Sequence, residues 1–147
     1  MYKTPKYPTR NIIGFKKCGK CTVCPYTKVR KFIKTKEVNW KITKNLNCKV
    51  RNAIYLVECE KETCRQKYIG ETGRTFKQRM DDHIGYDRNG RNYQATRAHF
   101  NLPGHSINDM KMSIIEKVKD DPIYRKEREK YHINKFQTHI NGMSKKL

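Results

Sequence analysis

The sequence predicts an α/β fold: a small domain with a central antiparallel sheet of about three strands flanked by helices, preceded by a basic cysteine-rich zinc-binding segment. Two closely spaced strand-like runs, two stretches of helical period, and a crowd of cysteines ahead of the first strand carry that expectation. At 147 residues the chain suffices for one ordinary core and one small appendage. The expected division falls between residues 1–49 and 50–147.

The run from Val50 to Glu58, with Ala53, Ile54, Tyr55, Leu56 and Val57 at its centre, has the apolar, β-branched and aromatic content of a largely buried strand. Arg65 to Thr72 reads as a second strand. So little chain separates the two that they are expected to pair as an antiparallel hairpin, with Tyr55 and Tyr68 on neighbouring strands. Phe76, Met80 and Ile84 recur every four residues with charges between them, which predicts an amphipathic helix over 75–84 carrying Arg79 and His83 side by side. A short second helix is expected over 93–100, stopped by Leu102-Pro103-Gly104. Met112, Ile114 and Ile115 give 110–118 strand character. The last helix is expected to start at Asp121-Pro122, where Asp caps free amides and Pro fits the first turn, and to run to about Phe136. Its expected apolar stripe is Ile123, Tyr131, Ile133 and Phe136. The stretch from Lys16 to Pro25 has no hydrophobic period, so something other than a core is expected to order it.

A net charge of +20 calls for a polyanionic partner, because so many like charges repel one another in a compact chain. Residues 1–50 hold fourteen Lys and Arg against a single acid, Glu37, so the N-terminal third reads as an arm that grips phosphates. Nucleic acid is the expected partner. No apolar run approaches the roughly 18 residues that span a bilayer, and the start, Met1-Tyr2-Lys3-Thr4-Pro5, lacks a signal-peptide apolar region. The expectation is a soluble, intracellular protein with no membrane partner. Six cysteines in a reducing compartment point to metal ligands in preference to disulfides.

Ala53-Ile54-Tyr55 and Tyr68-Ile69-Gly70 are followed by Glu71-Thr72-Gly73-Arg74-Thr75-Phe76 and then by Arg79-Met80-Asp81-Asp82-His83. In kind and order these residues resemble the GIY-YIG nuclease superfamily. His99-Phe100-Asn101-Leu102-Pro103-Gly104-His105 and Arg128-Glu129-Lys130-Tyr131 resemble its Penelope-like retroelement branch, and the resemblance spans about Cys18 to Gly142. Ala53 stands where the family has glycine. Ser144 stands where it commonly has asparagine, a hydroxyl in place of an amide.

That resemblance implies a metal-dependent DNA endonuclease, nuclear, that nicks DNA and leaves a 3′-OH for a reverse transcriptase domain of the same polyprotein. Glu129 would hold one Mg²⁺ (or Mn²⁺), a hard cation that keeps most of its water and also takes a phosphate oxygen. Arg79 would hold the scissile phosphate by two parallel hydrogen bonds that lysine cannot match. Tyr55 would orient or deprotonate the attacking water, and Tyr68 would position phosphate or share the proton; which of them is the base stays open. A phenol with a pKa of ~10 needs help at neutral pH, and His83 is the neighbour that can accept a proton. Glu127, about 200° around the helix from Glu129, should have no role. Arg74 and Lys77 join Lys16, Lys17, Lys20 and Lys28 as candidate DNA contacts.

Cys59, Cys64, His99 and His105 make a closed tetrahedral zinc set, a grouping the Penelope-like resemblance also implies. Cys18, Cys21, Cys24 and Cys48 are a possible second Zn²⁺ site, in which the metal would supply the folding energy that the segment lacks. The competing reading is a catalytically inactive zinc-dependent nucleic-acid-binding module.

Overall fold

The computed structural model describes residues 13–36, 38–84, 95–138 and 142–144. Its elements run β1 (Gly14–Phe15), β2 (Phe32–Lys34), β3 (Asn39–Lys41), β4 (Asn45–Leu46), β5 (Arg51–Cys59), β6 (Lys67–Thr75), α1 (Phe76–Ile84), α2 (Ala95–Phe100), β7 (Met110–Lys117) and α3 (Pro122–Phe136). The central sheet has the order β6-β5-β7, antiparallel throughout. β5 lies in the middle, which accounts for its continuous apolar run: every residue from Ala53 to Cys59 is buried. The one carboxylate in that run, Glu58, is met by Arg30 at 2.5 Å. Asn52, at φ 57°, sits in the bulge between Arg51 and Ala53 and accepts a hydrogen bond from Arg125 Nη1 at 3.1 Å.

β6 passes directly into α1, and local chemistry marks the change. The Thr75 hydroxyl accepts from the Gln78 backbone N–H at 3.1 Å while Gln78 Oε1 takes the Thr75 N–H at 3.1 Å, a reciprocal cap that satisfies two amides at the helix start. α3 begins as its sequence predicts: Asp121 Oδ1 accepts from the amides of Ile123 (3.0 Å) and Tyr124 (3.3 Å), and Pro122 fills the first turn. The short helix expected over 93–100 is described from Ala95 onward; Tyr93 and Gln94 lie outside the described residues.

Two expectations are corrected. Ile123 is 73% exposed and Tyr131 40%, so the inward face of α3 is His132, Ile133 and Phe136 and not the stripe drawn through Ile123 and Tyr131. Tyr131 stays outside because cations cover its ring, Arg128 at 4.3 Å and Lys135 at 5.4 Å. The N-terminal segment also has a share in the core: Phe15, Val23, Ile33, Ile42 and Leu46 are buried with the sheet residues in one cluster. Its four strands among the described residues are two or three residues long and bury at most two side chains each, so no period of 2 or 3.6 had room to show. β2 and β3 form an antiparallel ribbon, β1 and β4 a parallel pair.

Candidate active site

Tyr55 is fully buried in mid-sheet, and its hydroxyl is held from two sides. Arg79 Nε donates to it at 2.9 Å, and His83 Nε2 lies 2.8 Å away. With the phenol proton directed at His83 Nε2, the imidazole carries its hydrogen on Nδ1 and donates it to Thr96 Oγ1 at 2.6 Å. α1 makes this possible, since Arg79 and His83 are four residues apart and share a face. Thr96 was not foreseen; nothing in the sequence marks a lone threonine on a short helix.

Burial pushes the Tyr55 phenol well above its ordinary pKa, with the Tyr68 charge adding to the shift and Arg79 opposing it. Tyr68, half-buried, is also raised by burial and lowered by Arg79. The two rings lie 6.3 Å apart, and Tyr68 is 5.6 Å from the His83 ring. Burial, then the Arg79 charge, pushes His83 down to about 3, so its imidazole is neutral.

Glu129 belongs to the same cluster: its charge acts on Tyr55, Tyr68 and Arg79. Burial raises its carboxyl, Lys126 opposes the shift, and Glu71 adds to it. Lys126 Nζ stands between the two acids, 3.6 Å from Glu129 Oε1 and 3.4 Å from Glu71 Oε2. Sequence reasoning missed this bridge, and also that Arg125 pairs with Glu71 at 2.8 Å. Glu127 faces solvent.

β6 approaches Tyr55 so closely that a side chain at Gly70 has no room. A Cβ there would lie 2.6 Å from Tyr55 Cζ, nearer still to the hydroxyl, and 3.0 Å from Tyr68 Cε2. The glycine is needed for contact, in the register that pairs Tyr55 with Gly70 across the hairpin. The structure thus brings together the two tyrosines, the helical Arg and His, and the glutamate of the last helix. The GIY-YIG catalytic domain family matches residues 51–144, well over half of the chain. The chain belongs to the GIY-YIG family. No curated protein and no solved structure matches it.

GIY-YIG domains are metal-dependent nucleases, and the donors in this one suit metal. Ligand atoms of Cys59, Cys64, His99 and His105 lie within 4.8 Å of one another, as do those of Cys18, Cys21, Cys24 and Cys48. His105 Nε2 is buried with no hydrogen-bond partner among the described residues, the condition of an imidazole aimed at a metal. Cys64 Sγ lies 3.3 Å from His99 Nε2. In the all-cysteine group the sulfurs of Cys21 and Cys24 are 3.4 Å apart and those of Cys24 and Cys48 3.9 Å. Burial works against a thiolate at Cys24, but hydrogen bonds from the Cys21 and Gly19 backbone and from neighbouring thiols outweigh it and bring the group down to about 6.

The departure at Ser144 is accommodated. Its hydroxyl is buried, accepts from the Ile69 backbone N–H at 3.0 Å and from Thr138 Oγ1 at 2.8 Å, and so ties the chain end to β6 beside Tyr68. Among the candidate DNA contacts, Lys20 is exposed and Lys16 half-buried. Lys17 is turned onto its own segment, with Nζ 2.5 Å from the Cys24 carbonyl and 3.1 Å from Thr27 Oγ1. Lys28 pairs with Glu60 at 2.8 Å, Lys77 with Asp81 at 2.7 Å, and Arg74 with Asp82. No helix among the described residues is long and apolar enough to cross a membrane.

Proposed function

We propose that the chain is a DNA endonuclease that nicks one strand, the nuclease domain of a Penelope-like retrotransposon acting in the nucleus. The 3′-OH it leaves would prime a reverse transcriptase in the same polyprotein. The observation that carries this reading is the hydrogen-bonded chain Arg79–Tyr55–His83–Thr96, set beside a desolvated Glu129.

In this reading Arg79 takes a phosphoryl oxygen with the guanidinium nitrogens that Tyr55 leaves open. Its charge is then offset by phosphate, which weakens the smaller of the two effects, after burial, that keep His83 unprotonated. The Tyr55 oxygen accepts a proton from the attacking water as it passes its own to His83 Nε2, so a phenol with a raised pKa never has to ionise alone. Water oxygen bonds to phosphorus, the bond to the 3′ oxygen breaks, that oxygen takes a proton from solvent while His83 gives up its own, and a 5′-phosphate and 3′-OH result. Tyr68, beside the same imidazole, orients the phosphate. Glu129 would hold Mg²⁺ or Mn²⁺, which when bound neutralises phosphoryl charge and favours departure of the 3′ oxygen. Its carboxylate fits the role, being partly dehydrated and paired only loosely with an exposed lysine.

Residues 1–49 serve as the DNA-gripping arm and 50–147 as the nuclease domain. One zinc on Cys59, Cys64, His99 and His105 would pin the β5–β6 loop to the segment after α2, and a second on Cys18, Cys21, Cys24 and Cys48 would tie the arm to the start of β5. Both sets are closed, so these metals are structural. Incubating the purified protein with supercoiled plasmid and Mg²⁺ tests the reading. Open circles that form only when Mg²⁺ is added are expected; intact plasmid, or linear product from the first turnover, contradicts it.

A further inference from the structure

We propose that the β2–β3 ribbon is the part of the DNA-gripping arm that tracks the phosphate backbone of duplex DNA, away from the scissile bond. The proposal rests on the reading that the substrate is DNA.

The ribbon has two unlike faces. In its register Ile33 opposes Trp40, and both turn inward: Ile33 is fully buried, and Trp40 donates from Nε1 to the Ile115 carbonyl at 3.0 Å while its ring meets His132 edge-on at 4.7 Å. That face fixes the ribbon to β7 and α3. The other face carries the opposed pairs Phe32–Lys41 and Lys34–Asn39, all exposed, with Phe32 45% accessible. Among the described residues no carboxylate pairs with Lys34 or Lys41, in contrast to Arg74, Lys77 and Lys28, which all have acidic partners.

More cations continue the track at both ends. One end borders a cavity of about 220 Å³ that Lys41, Lys44 and Lys117 help to line. Glu116 lies there too, but Arg128 at 2.9 Å and His132 at 2.8 Å already hold it. The turn end borders a second cavity, lined in part by Lys36, Arg65 and Lys67. Lys67 immediately precedes Tyr68 in the chain, so the track leads to the start of the strand that bears a candidate catalytic residue.

A rigidly backed two-stranded ribbon with unpaired lysines on its outer face fits a polyanion of regular phosphate spacing, and ribbons of this width enter or follow duplex grooves. Phe32, exposed and opposed to Lys41 across the ribbon, would lie against a sugar between phosphates.

The test is equilibrium binding of a labelled duplex by fluorescence anisotropy over a range of salt, using the full chain and the variant K34A/K41A, with zinc content as a check on folding. Loss of two phosphate contacts should flatten the slope of log K against log salt by about 2 and weaken binding roughly 30-fold at 0.15 M salt. Phe32→Ala should weaken binding without moving the slope. A K34A/K41A protein with wild-type slope and affinity overturns the ribbon proposal and leaves the nuclease reading standing. A preference for single strands that Phe32→Ala abolishes overturns the duplex assignment. Wild-type protein that holds no DNA overturns both.

Discussion

Replacing Gly70 with alanine adds one methyl group where the structure has the least tolerance for it. The new carbon would lie 2.6 Å from Tyr55 Cζ, whereas carbon atoms rest about 3.5–4.0 Å apart, so the phenol must retreat by about 1 Å. It cannot do so freely, because Tyr55 is fully buried and its hydroxyl is bonded to Arg79 at 2.9 Å and His83 at 2.8 Å. A retreat of that size breaks both bonds. Overpacking of this kind costs about 1–3 kcal/mol of stability, which the domain should survive. A misplacement of about 1 Å at a reacting group costs roughly 100-fold in rate. Single-turnover nicking of supercoiled plasmid should therefore fall about 100-fold, with duplex affinity and zinc content near wild type. Gly73→Ala is the comparison: its Cβ would meet Arg125 Nη2 at 2.9 Å and disturb the pairing with Glu71, not Tyr55. A G70A protein that nicks at the wild-type rate would show that the Tyr55 hydroxyl geometry is irrelevant to the chemistry.

Arg79→Lys keeps the charge but loses the bond to Tyr55 and the two-pronged grip on phosphate proposed for it; nicking should fall by about two orders of magnitude with KM little changed, measured by steady-state kinetics. His83 titrates near 6.5 when unfolded but near 3 when folded, so below pH 6.5 the unfolded chain binds a proton that the folded chain does not. Stability should then fall as pH falls, by about 2 kcal/mol from this group between pH 6.5 and 5, and urea titrations of His83→Asn should show a shallower pH slope by that amount. Metal analysis of protein purified without chelator should find two zinc ions per chain; Cys64→Ala or His105→Ala should remove one and slow nicking by loosening the loop between β5 and β6, although neither residue touches substrate. Cys21→Ala should remove the other and reduce both duplex affinity and its salt dependence.

The sheet and the long helices were legible because each has a pattern several periods long. β5, β7, α1 and α3 begin or end within a residue or two of their expected bounds. The catalytic candidates were legible as an ordered set of residue types; the structure adds their hydrogen bonding. What the sequence hid is of two kinds. Strands of two or three residues, such as β1 and β4, are too short for alternation to register, and their burial depends on partners far away in the chain. Contacts between single polar residues leave no pattern at all: Thr96 behind His83, Lys126 between Glu71 and Glu129, and Glu116 holding buried His132 at 2.8 Å. The α3 stripe was misdrawn for a related reason, since His132 is fully buried through Glu116 and Trp40 while the more apolar Ile123 is left in solvent.

Glu129→Ala tests the central claim most directly, measured as single-turnover nicking with Mg²⁺ alongside duplex affinity, with the solvent-facing Glu127→Ala in parallel. Nicking should disappear in Glu129→Ala while affinity stays within about threefold of wild type, because the carboxylate is proposed to hold metal and not the phosphate backbone, and Glu127→Ala should nick normally. Nicking that survives in Glu129→Ala, or affinity that falls as far as the rate, would contradict the account.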